Sequence, residues 1–215
     1  MHSSEGPWQR VTLCVILTDL KCVRNLRQAT LPTVRASLSP SCLQTARLRD
    51  GALVTVRSVR PSDRDAMRAA FGALSAETRY RRFHAHVSEL PGASWSYLTQ
   101  VDGHHHVALV ALLGGRIVGV ARFIRLAPRP ERAEIAFVIA DLLQRRGLGR
   151  VLRAALLDRA RALGVTSFQA SVLPDSLGIR RLLQASPLAL VSDTGDRLVL
   201  RFAAELKPAA ERPFQ

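Results

Sequence analysis

Apolar and polar positions change rhythm several times along the chain, and each change marks an element. Leu53-Val54-Thr55-Val56-Arg57-Ser58-Val59 alternates with period two, as a half-buried strand does, and stops at Pro61. Met67, Ala70, Phe71 and Leu74 then recur at helical spacing behind Ser62 and Asp63, whose oxygens are expected to cap that helix. A second short helix is expected from about Ala76 to His84, with Tyr80 and Phe83 as its apolar pair, and a third over Trp95–Val101. His105–Leu113 and Arg116–Leu126 read as two strands about a Gly114-Gly115 turn. Beyond the Pro128-Arg129-Pro130 loop comes an apolar strand, Ala133–Ala140. The strongest helix pattern follows, with Leu148, Val151, Leu152, Ala155, Leu156 and Leu163 on one stripe and Gly164 as its stop. Ser167–Val172 is a strand, and Pro174-Asp175-Ser176 opens a helix carrying Ile179, Leu182 and Leu183. Leu188–Ser192 and Arg197–Ala204 close the chain as a hairpin around Asp193-Thr194-Gly195-Asp196. The order predicts an α/β (α+β) protein with a mixed sheet of about seven strands. Residues 1–46 share none of this periodicity and read as a disordered leader, or as sequence upstream of a true start; the ordered unit is expected over 47–208, with a tail at 209–215.

Composition narrows the classes. The chain has 215 residues, 47% of them apolar, enough for one domain with a real core. Net charge is +14, carried by 29 Arg against two Lys (Lys21, Lys207). A basic surface attracts nucleic acid, anionic membranes or an anionic cofactor. The arginines here are spread along the chain without a long run or aromatic interleaving, which argues against a nucleic-acid binder. Cys14, Cys22 and Cys42 match no zinc spacing, and their odd number argues against a disulfide framework. Val11–Leu17 is too short to span a bilayer and lacks the flanks of a signal peptide. The expectation is a cytoplasmic protein with no membrane anchor. Of His104, His105 and His106, only the first and third share a strand face, so they read as a polar strand entrance and no metal is expected.

The chemistry concentrates at one junction. The strand Ala133–Ala140 runs into Gln144-Arg145-Arg146-Gly147-Leu148-Gly149-Arg150, and the long helix starts there. Two glycines at a helix start let backbone approach an anion closely, and unpaired first-turn N–H groups and the helix dipole point at it. The dipole alone contributes about 0.3–1 kcal/mol, so several N–H groups must share a polyphosphate. The stretch lacks the Gly-Lys-Ser/Thr ending of a P-loop, and Leu152 stands where a dinucleotide fingerprint needs its third glycine. In the strand, period two sets Glu134, Ala136 and Val138 on one face and Ile135, Phe137 and Ile139 on the other. The bulky face should pack beneath a helix, and the face with a carboxylate beside a small residue suits a cleft wall. An ionised, unpaired Glu in such a strand costs several kcal/mol unless it is solvated or its pKa rises, and a raised pKa suits a general base. The alternative for Glu134 is a salt bridge to Arg132 or Arg122.

Gln144, Gly147 and Gly149 meet the pattern Gln/Arg-x-x-Gly-x-Gly/Ala, and with the preceding strand Glu134–Asp141 the segment resembles the pyrophosphate loop of the GCN5-related N-acetyltransferase (GNAT) family. Leu48-Arg49-Asp50-Gly51, Val56–Asp63 and Leu74–Phe83 are similar to the opening of a subgroup that includes bacterial protein-lysine acetyltransferases. The resemblance covers roughly residues 48–206 and implies a mostly antiparallel mixed sheet with helices on both sides. It implies acetyl-coenzyme A as cosubstrate and an amine acceptor, a protein lysine or a small molecule, attacked directly without a covalent enzyme intermediate. Glu134 aligns with the family's general base. The N–H groups around Val138, Ile139 and Ala140 would bond the pantetheine arm and polarise the thioester, and Gln144, Arg145, Arg146, Gly147, Leu148, Gly149 and Arg150 would hold the pyrophosphate. The family's later Asn and Tyr fall at Ser176 and Leu183 by position. Ser176 would cap its helix and bond the cofactor. Leu183 cannot donate a proton, so either the thiolate leaves unaided, or Tyr80 or Tyr97 serves, or the domain is a weakly active acyl-coenzyme A sensor.

Overall fold

The computed structural model describes residues 44–184, 188–196 and 199–206. Eight strands form one sheet: β1 (Gln44–Arg47), β2 (Leu53–Ser58), β3 (His106–Leu113), β4 (Arg116–Arg125), β5 (Arg132–Ile139), β6 (Ser167–Val172), β7 (Leu188–Asp196) and β8 (Val199–Leu206), in the order β1-β2-β3-β4-β5-β6-β8-β7. Every neighbouring pair is antiparallel except β5–β6, as expected for the one pair joined through a long crossover helix. The mixed, mostly antiparallel α/β architecture is the expected one. The extra strand is β1, a mostly exposed edge strand with no buried face to leave a period-two trace.

Among the described residues five helices flank the sheet: α1 (Arg64–Gly72), α2 (Ala76–Phe83), α3 (Gly92–Thr99), α4 (Leu148–Ala162) and α5 (Leu177–Gln184). The α3 helix starts and ends earlier than its expected span, Trp95–Val101. Asp63 does not cap α1. Its carboxylate takes two 2.7 Å bonds from the Arg57 guanidinium and a 2.8 Å bond from the Arg60 amide, closing a 3₁₀ turn at Pro61–Asp63 instead. Ser75 does cap α2, accepting from the Thr78 amide at 3.1 Å.

The α4 helix joins good helix formers with leucines at i, i+4 spacing. Leu148, Leu152, Leu156 and Leu157 are almost wholly buried, and each contributes about 1.5–3 kcal/mol by leaving water. Gly164 (φ 75°) ends the helix as foreseen: Gly164 N–H donates to Arg161 O and Val165 N–H to Ala160 O, the paired bonds of a Schellman stop. This helix covers one sheet face with Val54, Val56, Val107, Phe123, Ile135 and Phe168 beneath it. The other face packs on α1 and α3 through Met67, Phe71 and Trp95, joined by Leu74 just after α1, against Val110, Ile117 and Val120.

Candidate active site

Strand β5 supplies the site because it belongs to both faces. Ile135, Phe137 and Ile139 join the core under α4, whereas Val138 joins the core under α1 and α3. Glu134 is half-buried, opposite Ile124 on β4 and Gln169 on β6. The β5–β6 ladder spans only Arg132–Glu134 with Ser167–Gln169, although β5 continues to Ile139 and stays paired to β4 throughout. The two strands therefore part just beyond Glu134, leaving a gap walled by β5 main chain.

Alternation along a strand decides which amides face that gap. Ala140 N–H donates to Val118 O at 2.9 Å, toward β4, and Val138, two residues back, turns the same way. Of Val138, Ile139 and Ala140, Ile139 is the residue whose N–H turns toward the gap. The Ala140 amide is spent inside the sheet, which the sequence pattern alone did not reveal.

After a 3₁₀ turn at Asp141–Leu143 the chain enters the glycine loop. Arg145 (φ 60°) and Gly147 (φ 97°) both adopt left-handed backbone, and alternation of that kind curls successive N–H groups toward one point, as anion-binding nests do. Arg150 and Val151 donate to Gly147 O, so the amides ahead of them, from Arg146 to Gly149, are those a helix start leaves without intrahelical acceptors. Gly149 has a packing reason as well: a Cβ there would lie 3.1 Å from Ile139 Cδ1 and 3.3 Å from Leu182 Cδ2, so its absence seats α4 against β5 and α5.

Neighbouring side chains brace the loop. Gln144 Nε2 donates to Ile139 O and Thr78 Oγ1, both at 3.2 Å. Asp141 accepts from Ser75 N (2.9 Å), Ser75 Oγ (2.7 Å) and Thr78 Oγ1 (2.6 Å), tying the strand exit to the start of α2. Burial would raise the Asp141 pKa, but the bonds from Thr78 and Ser75 prevail and hold it below the usual carboxylate range. Arg146 is turned outward to Asp50 at 2.7 Å, and its carbonyl accepts from the Arg49 amide.

Ser176 precedes α5 and is buried, with its Oγ lacking any hydrogen-bond partner among the described residues; it does not cap α5. Leu183 is core, 2% exposed. Tyr80 stacks on His86 from α2, a helix that packs against β5, and Tyr97 lies over His106 at 4.9 Å. His106 in turn lies 3.3 Å from the Arg122 guanidinium. Burial, then the Arg122 charge, push the His106 pKa down to about 3, so it is neutral in the folded protein near pH 7. The amides of His104, His105 and His106 all donate to Asp102 Oδ1 at 2.8–2.9 Å, which fixes the strand entrance. Among the described residues no three His, Cys, Asp or Glu side chains converge as a metal site would need, and no helix is long and apolar enough to cross a membrane.

One feature had no sequence signal. Between α1–α3 and the sheet lies a small cleft of about 70 Å³, whose sheet side includes Ala136, Val138 and Ala140. It is lined almost wholly by hydrocarbon, and its charged lining residues are Arg82 and Arg122.

A parallel strand pair that parts beside a Glu, with a glycine loop and helix start at its mouth, matches what the resemblance to the GNAT family led one to expect. The acetyltransferase (GNAT) family model matches residues 67–185, and the chain belongs to that family of N-acetyltransferases. Acetyltransferase Pat of Mycolicibacterium smegmatis is 32% identical over 170 residues, covering 78% of this chain and 50% of Pat. The GNAT domain of S. lividans PAT superposes with a TM-score of 0.72 at 26% identity, covering 76% of this chain and 97% of that domain. YncA of Salmonella typhimurium, a putative acetyltransferase solved with its cofactor acetyl-CoA, shares the fold with a TM-score of 0.59 at 17% identity, over 75% of this chain and 98% of its own. The chain spans about half the length of Pat.

Proposed function

We infer that the protein transfers an acetyl group from acetyl-coenzyme A to a primary amine, a protein lysine being the favoured acceptor class. The observation that carries this is the gap between β5 and β6, opening beside Glu134 with the Gln144–Arg150 loop at its mouth. The residues fit the cosubstrate. Amides from Arg146 to Gly149 suit the pyrophosphate, with Gln144 bracing the loop and the Arg145 and Arg150 charges beside it. The Ile139 N–H suits an amide of the pantetheine arm or the thioester carbonyl. The buried Ser176 hydroxyl, otherwise unsatisfied, gains a partner if it bonds the same ligand. Resemblance to the lysine-acetyltransferase subgroup at Leu48–Gly51, Val56–Asp63 and Leu74–Phe83 supports a lysine acceptor.

Coenzyme A supplies an activated acyl carbon and a good leaving group; the protein must supply a neutral amine and hold the carbonyl. An amine of pKa about 10.4 is less than about 0.1% neutral at pH 7, so Glu134, directly or through one water, takes its proton. The amine nitrogen bonds to the carbonyl carbon, the carbon–sulfur bond breaks, and the pair departs on sulfur. A thiol of pKa about 8.5 leaves as thiolate, so Leu183 is no bar to turnover. Tyr80 and Tyr97 each lie against a histidine ring, His86 and His106 respectively, and Tyr80 is carried on a helix that packs against β5.

Glu134→Gln is expected to lower turnover at pH 7 by about 10²-fold or more with cofactor affinity retained; undiminished turnover removes Glu134 as the base. Gly147→Glu sets a side chain on a left-handed residue and an anion at the phosphate position, and is expected to abolish binding of acetyl-coenzyme A by calorimetry. Normal binding by that variant defeats the loop assignment. Tight cofactor binding by the wild type without turnover on any amine would favour the sensor reading.

A further inference from the structure

Among the described residues Arg122 is the one buried arginine, 5% exposed, and a guanidinium does not shed its charge, so its burial calls for an anion. His106 meets part of the need. Arg122 Nη1 lies 3.3 Å from His106 Nε2, and a guanidinium can only donate, so the neutral imidazole accepts there and keeps its proton on Nδ1. Tyr97 of α3 covers the ring, with centroids 4.9 Å apart, and the His106 amide donates to Asp102 Oδ1 at 2.9 Å. The imidazole satisfies a hydrogen bond but carries no charge.

Sheet register places a carboxylate on the same face. Arg122 pairs with Ala136 and Ile124 with Glu134, so Arg122 and Glu134 are diagonal neighbours on β4 and β5. His106 pairs with Ile124 and is the diagonal neighbour of Arg122 on β3. Diagonal positions lie about 7–8 Å apart, within reach of a long side chain. His106, Arg122 and Glu134 thus form a row across three strands that ends where β5 and β6 part. Other charged or titratable groups surround Glu134. Gln169, opposite on β6, is neutral, and Arg132 shares the face two residues back but is only half-buried. From α2, which packs against β5, come Tyr80 stacked on His86, Arg79 over Phe71, Arg82 over Phe83, and Glu77 paired with Arg81. Asp102 is engaged by three backbone amides.

We propose that Arg122 is a positioning residue for Glu134: anchored by His106, its guanidinium holds the carboxylate ionised and oriented where the strands part. The proposal rests on the reading of Glu134 as the base. Burial favours a protonated carboxyl, which cannot take a proton from an amine, and a cation within reach restores the carboxylate. Arg122 itself neither gives nor takes a proton.

Carbon-13 NMR titration of the Glu134 carboxyl in the whole chain, its resonance assigned from the Glu134→Gln spectrum, tests this. The wild-type group is expected to titrate at or below the ordinary Glu value of about 4.3 despite its burial. Arg122→Gln is expected to raise that midpoint by about one pH unit or more, and Arg122→Lys, which keeps the charge, to return most of the change. Arg132→Gln, which removes a less buried cation, is expected to move it less. In acetylation of a short lysine peptide by acetyl-coenzyme A, the acid limb of kcat/KM is expected to follow the midpoint; if the peptide is not acetylated, the NMR midpoints decide. A wild-type midpoint above about 4.3 overturns the proposal even if Arg122→Gln does not fold. So does a midpoint or limb that Arg122→Gln leaves unmoved, or that Arg132→Gln moves further. Undiminished turnover by Glu134→Gln is the separate result that removes the base itself.

Discussion

On one side of the sheet α4 lies flush, while on the other α1–α3 stand off around a cleft. The flush side has no room to spare: a Cβ on Gly119 would come within 2.9 Å of Leu152 Cδ1 and 3.3 Å of Leu148 Cδ2. Its residues are almost all hydrocarbon. The open side holds a buried Arg122, a neutral His106 against it, and a Trp95 indole N–H without a hydrogen-bond partner among the described residues. Such groups cost stability, and cores seldom keep them without a use. The difference teaches a division of labour. Packing under α4 fixes where that helix begins, hence where the loop amides point, and the opposite side gives up packing to keep space beside β5.

The largest expected effect tests that contrast. Leu152→Ala removes a wholly buried side chain from the flush side and should cost about 2–5 kcal/mol in urea denaturation. Leu98→Ala removes a half-buried side chain that already borders the cleft, and should cost less than about 2 kcal/mol. Equal losses would mean that the two sides are packed alike.

Sequence pattern revealed the flush side far better than the open one. The leucine stripe of α4, its Gly164 stop and the two faces of β5 are periodic features, and periodicity is what burial against a single surface writes into a chain. β1 wrote nothing, because Gln44–Arg47 is exposed on an edge. Asp63 looked like a helix cap and is held by Arg57 instead, a partner set by strand register that local rules do not see. Within the candidate site the loop was readable from Gln144, Gly147 and Gly149. Engagement of the Ala140 amide depends on hydrogen-bond alternation against β4, which residue types do not encode. The bonds of Asp141 to Ser75 and Thr78, the meeting of His106 with Arg122 and the cleft itself join segments distant in sequence, so no motif announces them.

A second, slightly smaller effect isolates the polar cost of the open side. The His106 pKa is lowered from 6.5 to about 3 by burial and by Arg122, so as pH falls from 6.5 the unfolded chain binds a proton that the folded chain refuses. Stability contributed this way is complete above 6.5 and drains as pH drops toward 3, at about 1.4 kcal/mol per pH unit, or about 3 kcal/mol by pH 4. His84 and His104, also lowered by burial first, add to the same slope. His106→Gln keeps a polar neighbour for Arg122 but cannot titrate, so its unfolding free energy should fall less steeply between pH 6.5 and about 4.5. Matching slopes for variant and wild type would show that His106 is protonated in the fold.

The smallest effect concerns Asp141, which links the two sides by tying the strand exit before α4 to the start of α2. Being exposed, it is discounted for solvent, and Asp141→Asn should cost about 1 kcal/mol at pH 7. Its pKa sits below the usual value because the bonds from Thr78 and Ser75 outweigh its burial, so its contribution is present above the unfolded pKa and is lost as pH falls through the folded one. The Asn variant should therefore differ from wild type at pH 7 and converge with it in acid, as pH falls through the lowered Asp141 pKa. If Asp141 also holds the loop in register, coenzyme A affinity should weaken by about fivefold, the equivalent of about 1 kcal/mol. Reduced stability with unchanged affinity would mean that the packing of Gly149 against Ile139 and Leu182 positions the loop unaided, and that the flush side alone governs the binding site.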